Sequence, residues 1–180
     1  MSDSVWVSAS ASYLARDKEG ARDVWATETA AQGRRGSQRI VHAGVVVAPA
    51  DVAELFGTPE GQEVVVRRRI MYLDDEPCEL TDTYYPADIA RGTRLAETAK
   101  IPGGAVALLA DLGHQGVRVR EDVVARMPSP EEREPLQIGT GEPILQLTRL
   151  TLDEEDRPIQ VDVMAMPSQR QRLRYELRIG

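Results

Sequence analysis

Residues 64–86 read VVVRRRIMYLDDEPCELTDTYYP and contain the clearest structural signal in the chain. β-Branched residues begin it, the acidic segment DDEP at 74–77 interrupts it, and a second alternating segment leads to Tyr-Tyr-Pro. This pattern predicts a β-hairpin over about 63–85 with its turn at 74–77. Three arginines stand beside the apolar residues of the first strand, at 67–69. Because an unpaired buried charge is costly, we expect them either to face water or to line a cavity that receives something anionic or polar.

The composition is that of one acidic globular domain. The 180 residues are 42% hydrophobic and 28% charged, with 29 acidic against 22 basic residues and a formal net charge of −7. This balance argues against nucleic acid binding by the chain itself, because duplex affinity rests on a basic surface. No apolar run approaches the ~20 residues that span a bilayer, and the N-terminus lacks the pattern of a signal peptide. We therefore expect a cytoplasmic protein that does not bind membranes.

Few residues of the chain could hold a metal or react covalently. Cys78 is the only cysteine, and His42 and His114 are the only histidines. The sequence thus excludes an intrachain disulfide and argues against a multi-cysteine or histidine-rich metal site. No convincing set of nucleophile, base and orienting group appears along the chain. We expect no catalytic residues, no metal and no cofactor.

The rest of the sequence alternates between short helical and strand patterns. Further strands are predicted at 38–47, 116–127, 142–152, 159–166 and 172–179, with a bulge at 121–122 in the second of them. Helices are predicted at 20–32, 49–57, 86–91, 105–112 and from Ser129 onward. Two long hairpins and few crossover helices favour the α+β class, an antiparallel sheet with helices packed on one side. Residues 1–12 are small and polar and are expected to form a poorly ordered lead-in.

A weak internal repeat links the two hairpins. The first reads RRIMYLDDEPCEL at 68–80, and the second reads TRLTLDEEDRPIQV at 148–161. Arg69 and Arg149 hold equivalent places before an acidic turn and a proline. A duplicated unit would place a pseudo-symmetric cavity between the two halves of the sheet.

Several short motifs together resemble the UTRA domain, the effector-binding domain of the HutC branch of GntR-type bacterial transcription regulators. They are VAELFG at 52–57, VVVRRR at 64–69, DEP at 75–77, TYYP at 83–86, Glu121 with Ala125-Arg126, and LTR at 147–149 through Arg157-Pro158. The resemblance covers residues from about 13 to 178 and rests on the order and spacing of these pieces. It implies a fold like that of chorismate lyase, with a ligand cavity between an antiparallel sheet and helices.

The resemblance also implies partners. Family members carry an N-terminal winged helix-turn-helix domain, and residues 1–12 are too short to hold one. We therefore expect a UTRA ligand-binding domain at 13–180, with the winged helix-turn-helix domain removed or naturally absent from this chain. The domain would be the effector-sensing and dimerisation part of a homodimeric regulator that contacts DNA only through the missing domain.

In family members that bind phosphorylated sugars, an alternating arginine pair on one strand holds the phosphate. Anchoring the comparison on Pro77 puts this pair on Arg69 and Met71, whereas a register slipped by two would use Arg67 and Arg69. The anchored register is favoured because the turn length then matches. Other family positions fall near Thr81 or Asp82, on Gln160, and near Met166. The resemblance thus implies a ligand site made of Arg69, Met71, Thr81, Asp82, Tyr84, Gln160, Met164 and Met166.

Such a pocket would hold one arginine and would be more apolar than a sugar-phosphate site, with methionines that adapt to irregular ligands. We expect a larger, mostly apolar effector, not a sugar phosphate, with one anionic or carbonyl group for Arg69. The plainer alternative makes Arg69 a surface ion pair and the methionines core residues. Two other functions stay open. They are a chorismate lyase-like enzyme and a ligand-free dimerisation module that pairs its strand 173–179 across a two-fold axis.

Overall fold

The structure is a computed structural model that describes residues 5–8 and 24–176. Its strands are β1 (Trp6–Ser8), β2 (Gly36–Val47), β3 (Glu63–Leu73), β4 (Glu76–Pro86), β5 (Arg118–Arg126), β6 (Ile144–Leu152), β7 (Pro158–Pro167) and β8 (Gln171–Leu173). Its α-helices are α1 (Val24–Ala31), α2 (Ala50–Phe56), α3 (Ala87–Ala90), α4 (Gly104–Asp111) and α5 (Pro130–Leu136), and Arg94–Ala96 form a 3-10 helix. No helix within these residues is long and apolar enough to cross a membrane.

Strands β2 to β7 form one antiparallel sheet in the order β2-β3-β4-β7-β6-β5, and β1 pairs with β8 in parallel. This confirms the predicted α+β class. Helices cover both faces of the sheet, however, and the expectation of helices on one side is wrong. The reason lies in Val64, Val65 and Val66, which are all buried. A strand without polar alternation needs cover on both faces.

The two faces of the sheet carry different helices. On one face, Val66 packs in a core with residues of helix α2 such as Val52, and helix α5 lies over the same face through Leu136. On the other face, Val65 packs with residues of α3, the 3-10 helix and α4. A large cavity lies on this second face, which is therefore called the cavity face.

The first hairpin turns through two residues, Asp74 and Asp75, both with positive φ (51° and 69°). This is the backbone of a type I′ turn, whose twist matches that of the flanking strands. The Asp74 carboxylate accepts hydrogen bonds from Arg35 N (2.8 Å) and Arg34 Nε (2.7 Å). These hydrogen bonds, with the Arg35 backbone bond the largest cause, lower the pKa of Asp74. The turn therefore falls inside the predicted 74–77, and strand β4 resumes at Glu76.

Strand β4 contains one extra residue just after its proline. Pro77 lies opposite Tyr72 and Glu79 lies opposite Met71, which leaves Cys78 as a β-bulge. A one-residue shift of register moves every later side chain of a strand to the other face. The bulge therefore determines which residues of β4 face the cavity.

Two neighbouring side chains hold this bulge. Gln171, which is 3% exposed, donates from Nε2 to the Cys78 carbonyl (3.0 Å). Arg170 donates from Nη1 to the Pro77 carbonyl (3.3 Å) and from Nη2 to the Leu136 carbonyl (2.9 Å). Carbonyl groups that the bulge takes out of the ladder thus find donors, as buried backbone groups must.

The second hairpin repeats this arrangement. Pro158 lies opposite Leu152 and Gln160 lies opposite Thr151, so that Ile159 is the extra residue after the proline. The repeat also extends beyond the hairpins, because β2-α2-β3-β4 and β5-α5-β6-β7 have the same order of elements. The two units join through β4 and β7 at the centre of the sheet.

Strand β5 differs from its prediction. It pairs with β6 in uninterrupted register from Arg118 to Arg126, so the predicted bulge at 121–122 is wrong. The two adjacent acids need no bulge, because their side chains point to opposite faces of an edge strand. Glu121 pairs with Arg149, and the side chain of Asp122 is 68% exposed.

The chain ends also differ from their prediction. Strand β8 ends at Leu173 and residues 174–176 form no strand, whereas 177–180 lie outside the described residues. The partner of β8 is β1, within the segment that was expected to be a poorly ordered lead-in. There Trp6 is buried, and its ring meets that of Trp25 edge to face at 5.2 Å. This apolar contact explains the order of 6–8; the other lead-in residues, apart from exposed Val5, lie outside the described part.

Helix α1 approaches the start of β2 so closely that only glycine fits at Gly36. A Cβ there would lie 2.5 Å from Thr29 Oγ1 and 2.7 Å from Trp25 Nε1. Both neighbours are fixed, since Trp25 Nε1 donates to the Tyr72 carbonyl (3.0 Å) and Thr29 Oγ1 donates to the Trp25 carbonyl (2.9 Å). The backbone of α1 is thereby fixed against the sheet.

We expect Gly36→Ala to lower the free energy of unfolding by about 1–3 kcal/mol, the usual range for overpacking. Chemical denaturation measures this change. Gly139→Ala is the matched control, because a Cβ at Gly139 meets nothing within 4 Å. Equal losses in the two variants would contradict the close contact of α1 with β2.

Candidate ligand-binding site

A cavity of about 820 Å³ lies on the cavity face of the sheet. Its floor consists of alternate residues from β3, β4, β7 and β6. Its walls come from α1, from β2, and from the segment 98–107 that leads into α4. Strands β1 and β8 contribute Ser8 and Leu173 to the rim. The cavity is therefore bounded by both repeat units and by the N-terminal part of the described chain.

Most of the residues expected at the ligand line this cavity. They are Arg69, Met71, Thr81, Gln160, Met164 and Met166. Asp82 and Tyr84 do not reach it, contrary to expectation. They lie on the opposite face of the sheet, where the Tyr84 hydroxyl donates to the Asp82 carboxylate (3.1 Å) and the Tyr84 ring packs in the core under α2. The physical reason is the Cys78 bulge, which turns Thr81 toward the cavity and Asp82 away from it.

Several cavity residues lie outside the favoured set of sequence-predicted ligand residues. They are Arg67, which only the slipped register used, and Glu79, Thr83, Tyr85, Arg149 and Asp162. The expectation of a single arginine is therefore wrong, since three line the floor. The internal repeat could have identified the residues of β4 that face the cavity. Counted from Pro158 and Pro77, Gln160 and Asp162 correspond to Glu79 and Thr81. The alternation of faces, which was predicted correctly for β7, therefore assigns the faces of β4 as well.

A chain of hydrogen bonds crosses the cavity floor. Arg69 Nη2 donates to Thr83 Oγ1 (3.0 Å), and Thr83 Oγ1 donates to Asp162 Oδ1 (2.7 Å). Gln160 Nε2 donates to the other oxygen of Asp162 (2.7 Å). Three strands are thus linked through side chains, and both oxygens of the Asp162 carboxylate have a donor.

The guanidinium of Arg67 is held by backbone carbonyl groups of the protein. It donates to the carbonyl oxygens of Arg94 (2.9 Å), Leu95 (3.3 Å), Glu97 and Ala99 (3.1 Å). Burial lowers the pKa of Arg67. The residue fixes the 94–99 segment to the sheet and so shapes one wall of the cavity.

Arg149 is also engaged, by an ion pair with a carboxylate of the protein. Its Nε lies 2.6 Å from Glu121 Oε1, and the side chains of Arg149 and Glu121 are only 10% and 9% exposed. In such a partly desolvated pair each charge compensates the other, and loss of one partner is far more costly than the pair's net contribution to stability.

Arg69 differs from the other two floor arginines. Its Nε is buried and finds no hydrogen-bond acceptor among the residues that the structure describes. A guanidinium presents its N–H groups as a rigid fork that suits carboxylates and phosphates. Arg69 therefore has an unused donor at the cavity floor.

Glu79 supplies an acceptor next to this donor. It lies opposite Met71, and Thr81 lies opposite Arg69, so that Glu79 and Arg69 are diagonal neighbours on the cavity face. The Glu79 carboxylate accepts a hydrogen bond from Thr81 Oγ1. Burial raises the pKa of Glu79, and this outweighs the opposing effects of Thr81, Arg69 and Arg149. The floor thus offers a donor and an acceptor side by side.

A six-stranded antiparallel sheet with helices on both faces and a cavity over its central strands defines the class of this protein, an α+β domain with an internal cavity. The family model for the UTRA domain matches residues 31–172, so the chain belongs to the UTRA domain family. It is a UTRA domain of the GntR-family transcriptional regulators.

Two curated relatives show the same relationship. The chain is 31% identical over 142 residues to an HTH-type transcriptional regulator of Streptomyces coelicolor, over 76% of this chain and 53% of the relative. It is 25% identical over 135 residues to the HTH-type transcriptional regulator GgaR of Escherichia coli K12, over 73% of this chain and 51% of the relative. The chain therefore spans about half the length of these relatives.

Solved structures share the fold. The effector domain of PhnF from Mycobacterium smegmatis superposes with a TM-score of 0.72 at 21% identity, covering 86% of this chain and 94% of that one. The ligand-binding domain of a protein from Bordetella bronchiseptica assigned to the GntR family gives a TM-score of 0.68 at 27% identity, covering 80% and 91%.

The position of Glu79 predicts a pH dependence of stability. Because its pKa is raised above the ordinary 4.5, the folded protein binds this proton more tightly than the unfolded chain. The wild type therefore loses stability as the pH rises from the pKa that Glu79 has in the unfolded chain through the pKa that it has in the folded protein. Glutamine carries no charge and still accepts from Thr81, so Glu79→Gln avoids this loss.

We expect the melting temperature of Glu79→Gln to exceed that of the wild type near neutral pH and to approach it near about pH 4. Thermal melts across this pH range measure the difference. Glu60→Gln, in an exposed loop, is the control and should show a difference that does not grow with pH. A wild type that gains on Glu79→Gln as the pH rises would refute the burial of this carboxylate.

Proposed function

We propose that this domain senses a small-molecule effector in its cavity and thereby modulates DNA binding by a transcription regulator of the HutC branch. The observation that carries this proposal is the buried Nε of Arg69, which has no acceptor among the described residues. A buried donor left without an acceptor costs about 1–3 kcal/mol. An effector with an anionic or carbonyl oxygen at the Arg69 guanidinium gains a charge-assisted hydrogen bond, and a small turn of the side chain that brings Nε to this oxygen removes that cost.

The effector is mostly apolar and is not a sugar phosphate. Apolar side chains surround the polar floor, among them Met71, Leu147, Met164 and Met166. Arg67 and Arg149 lack the freedom to hold a phosphate, because protein groups already engage them. The Glu79 carboxylate beside Arg69 opposes a second negative charge. A sugar phosphate is thus disfavoured because two floor arginines are engaged by the protein, not because arginines are missing.

DNA contact belongs to a winged helix-turn-helix domain outside this chain. The relatives of about twice this length are helix-turn-helix regulators, which supports this division of labour. The effector would act by favouring one geometry of a cytoplasmic homodimer, so that its DNA-binding domains gain or lose register with two half-sites. Strand β5, at the edge of the sheet, exposes Val123 and Val124 and offers a surface for self-association.

The regulatory role is favoured over the two alternatives. The named relatives are transcriptional regulators, which favours a sensor over a lyase-like enzyme. A cavity of about 820 Å³ lies in the range of small-molecule sites and favours a sensor over a ligand-free dimerisation module.

Isothermal titration against a panel of aliphatic and aromatic carboxylates, amino acids and sugar phosphates tests this proposal. We expect a carboxylate to bind with a dissociation constant in the micromolar range. Arg69→Met should weaken it about tenfold to a hundredfold, the equivalent of a hydrogen bond to a charged group. Arg68→Met is the matched control and should not change affinity, because Arg68 lies on the opposite face beside Asp82.

Micromolar binding of any sugar phosphate would overturn the effector class. An equal loss in Arg68→Met and Arg69→Met, or no binding by any carboxylate, would overturn the role of Arg69 in sensing.

A further inference from the structure

The duplication gives the cavity two equivalent arginines. Arg69 lies opposite Thr81, four residues after Pro77, and Arg149 lies opposite Asp162, four residues after Pro158. Both line the cavity floor. By symmetry alone, the cavity would have two anion positions, one in each repeat.

The outer strand of each repeat makes the two positions different. On β2, the residue opposite Arg69 is Ile40, which also lines the cavity. On β5, the residue opposite Arg149 is Glu121. Ile40 leaves Arg69 with an unused buried donor, whereas Glu121 forms a 2.6 Å ion pair with Arg149.

We propose that Glu121 is a built-in carboxylate that occupies the second anion position and so keeps a second anionic group of the effector away from Arg149, while Arg69 holds the first. This specificity role rests on the proposed sensing function. It disfavours effectors whose two anionic groups are spaced to reach both floor arginines.

The physical basis is the low exposure of the Arg149–Glu121 pair. A second anionic group of a ligand would have to displace Glu121 from Arg149, which breaks this shielded ion pair, or remain without a cation itself. Breaking a partly desolvated ion pair and burying an unpaired anion are both costly. Neither of the other two floor arginines can take this second group, since Arg67 is held by carbonyl oxygens and Arg69 takes the first anionic group. The further cationic residues that line the cavity, Arg39 and Lys100, belong to its walls.

The test removes the built-in carboxylate and asks whether a free one replaces it. Glu121→Ala removes both charge and volume beside Arg149, so sodium acetate should raise its melting temperature in a saturable manner, well above any shift in the wild type. Sodium chloride at equal ionic strength should raise it less, because a halide lacks the two oxygens with which a carboxylate matches the guanidinium. Glu121→Gln loses the charge but fills the space, and it should show no such acetate effect.

The double variant Glu121→Ala with Arg149→Met should also lose the acetate effect. An acetate shift that is equal in wild type and Glu121→Ala, or that persists in Glu121→Gln or in the double variant, would overturn the role of Glu121.

Ligand charge provides a second measurement. Glutarate and adipate are dianions, and butyrate and hexanoate are the monoanions of similar length. In titrations, Glu121→Ala should bind at least one dianion about tenfold or more tightly than the wild type does, with monoanion affinities changed by less than about twofold. Wild type that binds the dianions as tightly as Glu121→Ala would contradict the proposal.

A converse variant keeps the proposal testable if Glu121→Ala does not fold. In Ile40→Glu, the new carboxylate should pair with Arg69 as Glu121 pairs with Arg149, so that monoanion binding weakens about tenfold or more. Ile40→Gln should weaken monoanion binding much less. Unchanged binding in Ile40→Glu would overturn the equivalence of the two positions. If no monoanion binds the wild type, the sensing function fails, while acetate rescue of Glu121→Ala still decides whether Glu121 acts as a ligand for Arg149.

Discussion

The extra residue in strand β4, Cys78, determines the face on which every later side chain of that strand lies. Arg170 and Gln171 hold it by donating hydrogen bonds to the carbonyls of Pro77 and Cys78. Without the bulge, Asp82 would face the cavity and Thr81 would face the core under α2. The C-terminal end of the described sheet thus maintains the register that builds the cavity floor.

The repeat of the β-α-β-β unit sets the arrangement of the cavity floor, and sequence differences between the two copies set its charged and hydrogen-bonding groups. Each of the three floor arginines has a different set of bonding partners. Arg67 holds a wall segment through carbonyl oxygens, Arg149 is neutralised by Glu121, and Arg69 retains an unused donor. The number of arginines in a cavity therefore does not give the positive charge that a ligand meets, because an arginine that is already bonded to other protein groups contributes little to this charge.

Local patterns made much of the fold predictable. The β-branched run and acidic turn give the first hairpin, and Gly57 ends α2 in the left-handed conformation that favours glycine. Ser129 begins α5 with a capping box. Contacts between distant segments were beyond the sequence. The bulge at Cys78 needs Gln171, and the commitment of Arg67 needs the 94–99 segment to fold back over the sheet. The residues that face the cavity were therefore predicted correctly where alternation was regular, in β7, and partly wrongly in β4.

A crystal of this protein soaked in sodium bromide would show where an anion binds in the cavity, because anomalous scattering locates bromide independently of the protein atoms. We expect bromide in contact with the guanidinium of Arg69 at the cavity floor, with Glu79 and Thr81 on the same face and no bromide at Arg149. Bromide at Arg149 with Glu121 turned away, an Arg69 Nε bonded to a protein carbonyl, or a β4 strand that turns Asp82 and Tyr84 into the cavity would contradict this expectation.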